Sequence, residues 1–149
     1  MVRAVQLHRL LRLSLPNQRL LVEAVAALAA AAAVVRFLPF RHAIRSAARR
    51  GSTARQIGSA ELRRICWSVE RAGEVVPWRA VCLQQSLAAQ WMLRRRGVDA
   101  LLHYGVGKKA DGELAAHAWL TADGEGLIGA DAARGFRTVA TYPEEAMGR

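Results

Sequence analysis

The hydrophobic period changes at Gly97, and that change constrains the fold more than any other feature. Up to Arg96 the apolar residues recur at helical spacing; from Ala100 they fall into short runs broken by glycine and aspartate. Helices first and short strands last describe an α+β domain. Residues 17–36 read as one alanine-rich helix, with Asn17 as N-cap after Pro16 and Pro39 beyond its end. Residues 41–56 read as a short basic helix running into a loop at Gly51-Ser52, and Ser59 can cap a helix through Arg71, closed by Gly73. A further helix, Ala80 to Arg96, has few polar residues (Gln84, Gln85, Ser86, Gln90) before its last turn, so it should be buried. Gly97 supplies its C-cap, and Arg94, Arg95 and Arg96 suit the negative end of its dipole. Strands are expected over 100–106, 114–121 and 126–131, with 136–142 as an edge strand.

At 149 residues the chain is long enough for one domain with a core. The reading is a helical N-terminal region, 1–58, packed on a core of residues 59–149. The net charge of +10 comes almost wholly from arginine. It permits an acidic peptide, nucleic acid or anionic membrane as partner and selects none. No zinc spacing and no interleaving of aromatic and basic residues is present, so no metal, cofactor or nucleic acid is expected. The longest uncharged run, Ala24–Val35, is shorter than the roughly 20 residues of a spanning helix. Glu23 and Arg36 bracket it, so a packed helix without membrane contact is expected. Two cysteines are too few for a disulfide framework, which favours a cytoplasmic protein with free thiols.

The chemistry centres on "CLQQSLAAQ" and "AAHAWLTADGEGLIGAD". Cys82 falls in the first turn of the buried helix, where the dipole and unpaired N–H groups stabilise a thiolate. His117 lies between alanines on a strand and shares a face with Ala115, Trp119 and Thr121. A base acting on a cysteine needs a third group to hold its tautomer. A three-residue loop, Asp123-Gly124-Glu125, would place Asp131 directly across from His117; a two-residue Asp-Gly turn would point it away. Trp78 and Gln84 are candidates for the cleft or the oxyanion site, Trp119 for the cleft. Cys66, mid-helix in "RRICWSVE", reads as packing, and His8, His42 and His103 lack comparable company.

A cysteine on a helix, a histidine on a strand and an aspartate further on resemble the transglutaminase-like branch of the papain-type cysteine proteases. The longer stretch "CLQQSLAAQWMLRRRGVDALLHYGVGK", followed by "AHAWL" and "DG", resembles the leader peptidases of lasso-peptide biosynthesis, here without the usual recognition domain. The upstream "RLLVEAVAALAAAAAVVRFLPFR" is similar to that family's helical N-terminal part. The interval from His117 to Asp131 is two residues longer than the family leads one to expect. The resemblance implies a papain/transglutaminase-like fold and a cysteine endopeptidase that cuts the leader from a ribosomal lasso precursor peptide. Cys82 would be the nucleophile, His117 the base and Asp131 the orienter. It also implies a separate leader-recognition protein and an ATP-dependent lasso cyclase as partners. Two other readings fit the residues: transglutaminase-like acyl transfer or deamidation, and a non-catalytic basic or membrane-associated interaction module.

Overall fold

The computed structural model describes residues 8–9, 11–51 and 56–144. Helices α1 (Leu15–Phe37), α2 (Phe40–Ala47), α3 (Ser59–Val75) and α4 (Cys82–Arg95) precede a small antiparallel sheet. Its strands are β1 (Leu101–Lys108), β2 (Leu114–Ala122), β3 (Glu125–Gly126) and β4 (Phe136–Tyr142), in the order β3-β2-β1-β4. The α+β layout and the edge position of β4 are as expected. Residues 52–55, part of the expected 41–56 segment, lie outside the described residues, and α2 ends at Ala47.

Helix ends differ from expectation where side chains found other partners. α1 begins at Leu15, with Ser14 at its N-cap, and the Asn17 side chain instead accepts from Arg64 Nε at 2.6 Å. α3 begins at Ser59 rather than being capped by it, and it continues through Gly73 to Val75. Gly97 does end α4 as expected: it takes φ +80°, and Val98 N–H reaches back to Leu93 O at 3.0 Å.

One core draws on every layer. Ala24, Leu28 and Ala31 of α1, Ile65 and Val69 of α3, Leu87, Ala89 and Leu93 of α4, and Leu102 and Leu120 of the sheet form a single buried cluster. Alanine is what lets α1 lie close against α3 and α4: its inward residues Ala24 and Ala31 are fully buried. Glu23, at the start of the buried run, binds Arg96 through both carboxylate oxygens, at 2.9 and 2.7 Å. The hydrogen bond from Arg96 holds the Glu23 carboxyl below its usual range, and this pair ties α1 to the C-terminus of α4.

Gln90 is the polar group that the helix most needs. It is 2% exposed, and its Nε2 lies 3.0–3.1 Å from the carbonyls of Ala47, Ala100 and Tyr142, which share its two N–H donors. One amide thereby joins the end of α2, the approach to β1 and the end of β4. Gln90→Met keeps the volume but leaves buried carbonyls unpaired. The expected loss is about 1–3 kcal/mol, read as a lower urea midpoint with unchanged slope.

Candidate active site

Cys82 is the first residue of α4 and is partly exposed. Val81 occupies the N-cap and offers no side-chain acceptor, and the first turn holds no acid. The first N–H groups of α4 therefore keep their positive end toward the Cys82 side chain. The approach is fixed by Gln85, whose Nε2 donates to Ala80 O at 2.9 Å while its N–H reaches Val81 O. Two buried polar atoms nearby in sequence have no partner among the described residues: Trp78 Nε1 and Gln84 Oε1.

His117 lies on β2, paired with Gly105 of β1. Trp119 stacks between two imidazoles, 5.9 Å from His117 and 5.4 Å from His103, and Phe136 closes the row 5.2 Å beyond His117. Gly105 is required here, because a Cβ would come within 2.9 Å of the Trp119 ring and of Arg137 O. His103 is hydrogen-bonded with Thr121 and Thr141 Oγ1, at 2.7 and 3.0 Å. Trp119 is 8% exposed yet lies outside the main core cluster. The rings thus form a shelf on one face of the sheet, while Leu102, Leu120 and Ala122 on the other face pack on the helices.

The expected route to Asp131 is not taken. β2 and β3 join through a two-residue turn, since Ala122 pairs with Glu125 and Thr121 with Gly126. Asp123 and Gly124 both adopt positive φ, 51° and 77°, the conformation an Asp-Gly pair permits most easily. The expected strand over 126–131 stops at Gly126. Leu120 accepts from Leu127 N–H and donates to Ile128 O, so two residues face one. Gly129 then turns the chain at φ +71°, and Asp131 opens a short 3-10 turn, exposed to solvent. Asp131 lies near enough to Glu70 of α3 to raise that carboxyl, a lesser cause than Glu70's burial and Glu74.

The acceptor beside His117 is instead the carbonyl of Gly129, 2.8 Å from Nε2. A carbonyl can only accept, so Nε2 carries the proton and Nδ1 is the bare nitrogen of the neutral ring. This is the tautomer a general base needs, set by the backbone two residues before Asp131. Residue types gave no hint of a main-chain acceptor; the extra length between His117 and Asp131 was the one available signal. Among the described residues Cys82 Sγ and His117 form no hydrogen bond.

Cys66 behaves as packing. It is 7% exposed on α3, and burial, with lesser contributions from Glu70 and Glu125, pushes its thiol up to about 12. At neutral pH it carries almost no thiolate. Cys66→Ala should leave iodoacetamide labelling of the protein unchanged, whereas labelling that falls with Cys66 would make it the reactive thiol.

A family model for the transglutaminase-like superfamily matches residues 24–141, from within α1 to within β4. No curated protein and no solved structure matches the chain.

Proposed function

Because the chain belongs to the transglutaminase-like superfamily, we propose that it is a cysteine endopeptidase that removes the leader from a ribosomally made lasso-peptide precursor. The observation that carries this reading is the uncapped start of α4 at Cys82, in a chain whose His117 has its tautomer held by Gly129. Cys82 is the nucleophile: its thiolate attacks the scissile carbonyl. His117 Nδ1 takes the thiol proton and returns it to the leaving amine. Thiol and imidazole are not hydrogen-bonded in the free chain, and such contacts commonly tighten only when substrate is bound. The N–H of Cys82, at the start of α4, is a donor for the developing oxyanion.

The leader is presented by a separate recognition protein, which raises the local concentration of the cleavage site. An ATP-dependent lasso cyclase then consumes the freed core peptide. The test is to incubate the purified chain with a lasso precursor, with and without the recognition protein, and to weigh the products. Two fragments whose masses together exceed the precursor by one water, formed faster with the recognition protein, support the reading. A deamidated or amine-linked precursor of unbroken length would assign acyl transfer instead. An untouched precursor in both mixtures would remove the protease reading.

A further inference from the structure

The N-terminal third of the molecule has an outer surface that the proposed chemistry does not use. Six of the ten large apolar side chains exposed in the described structure, Leu11, Leu15, Val22, Phe37, Leu38 and Phe40, lie between residues 11 and 40. Along α1 the exposed positions follow helical spacing, and from Val22 through Ala26, Ala29, Ala30 and Ala33 none is polar. Arg19 and Arg36 flank this stripe, and Phe37 and Leu38 continue it into the corner with α2. A solvent-facing stripe on a helix ordinarily carries charge; this one carries it only at its ends.

The charge of the chain is concentrated in the same segment. Residues 1–50 hold nine arginines and one acid, Glu23. That acid faces inward and is occupied by Arg96. α2 adds Arg41 and Arg45 on its exposed side. An apolar strip with cations at its ends and no acid among its own exposed residues complements a layer that is apolar beneath a negative surface. A second copy of the chain is a poor occupant. Antiparallel pairing of α1 with α1 would set Arg19 against Arg36, and parallel pairing would set each against itself. Nucleic acid would use the arginines but leave Val22, Phe37 and Leu38 without a role.

We propose that the outer face of α1, with the α1–α2 corner, is an in-plane binding surface for anionic membranes. The helix lies on the bilayer and does not cross it. By length and composition α1 could span a bilayer. Its inner stripe is nevertheless committed to the core: Leu28, Ala24 and Ala31 are fully buried, and Glu23 is bound to Arg96. The proposal replaces the expectation of no membrane contact that the short uncharged run suggested, because it needs only one face of the helix.

The test uses the full chain and extruded phosphatidylcholine vesicles with and without phosphatidylglycerol. The protein should sediment with the anionic vesicles and remain in the supernatant with phosphatidylcholine alone. Val22 and Phe37 are 70% and 78% exposed, so the double variant Val22→Glu with Phe37→Glu should melt as the parent does. It should nevertheless partition at least about tenfold more weakly, since it places charge where the apolar strip enters the interface. Separately, Phe37→Trp should show a blue-shifted emission on anionic vesicles and none on phosphatidylcholine alone. Failure of the parent to sediment with phosphatidylglycerol vesicles would overturn the proposal. So would undiminished binding of the double glutamate variant, which would mean charge alone is at work. A parent dimer in lipid-free solution that the same variant dissociates would assign the face to a second copy.

Discussion

Cys82→Ala should abolish peptide cleavage, with a loss on the order of 10⁶-fold, the scale on which proteases lose rate when the nucleophile is deleted. The fold should be unaffected, because alanine is the best helix former and position 82 is only partly buried. A melting curve superimposable on the parent's is part of the expected result. His117→Ala should cost less, about 10²–10⁴-fold, the usual contribution of one positioned acid–base group. The same variant should also slow alkylation of Cys82, because the proposed proton acceptor is gone. Alkylation rates followed across pH report this directly. A Cys82 variant that still cuts, or an alkylation profile that does not move in His117→Ala, would show that the two residues do not act as a pair.

The second large effect is expected at a position with no functional side chain. Gly129 holds φ +71° and gives its carbonyl to His117 Nε2 at 2.8 Å. A Cβ there would stand 3.2 Å from that nitrogen and 3.0 Å from Ala118 O, in a backbone conformation that L side chains rarely adopt. Gly129→Ala must therefore shift either the carbonyl or the ring, and cleavage should fall about 10²–10⁴-fold through loss of the correct tautomer. KM should change less than kcat, since the ring and not the peptide bed is displaced. Asp131→Asn, by contrast, should leave the rate unchanged, because the carboxylate is exposed to solvent and the imidazole is hydrogen-bonded to Gly129 instead. If Asp131→Asn proves the more damaging of the two, the backbone carbonyl is not the orienting group.

The sequence by itself determined the features that rest on local preference. The alanine run could only be a helix, Gly97 could only end one, and the change of period at that glycine divided helices from strands. These depend on residues a few positions apart, where propensity, capping and side-chain alternation decide the outcome. Cys82 at a helix start and His117 beside Trp119 on one strand face were legible for the same reason. Tertiary structure decided what depended on a second element. Asn17 was drawn from capping to Arg64. The Asp123-Gly124 turn closed with two residues, and the extra residue that the longer loop was expected to supply appeared instead at Leu127 and Ile128. Gly129 then left the strand and put its own carbonyl where a carboxylate was expected. A turn's length, the site of a bulge and the use of a main-chain acceptor are settled by the contacts of the whole sheet with α3 and α4, and no residue type encodes them. The outer face of α1 belongs to the same class: its alanines specify a helix, but only the packed fold shows which of them are left uncovered.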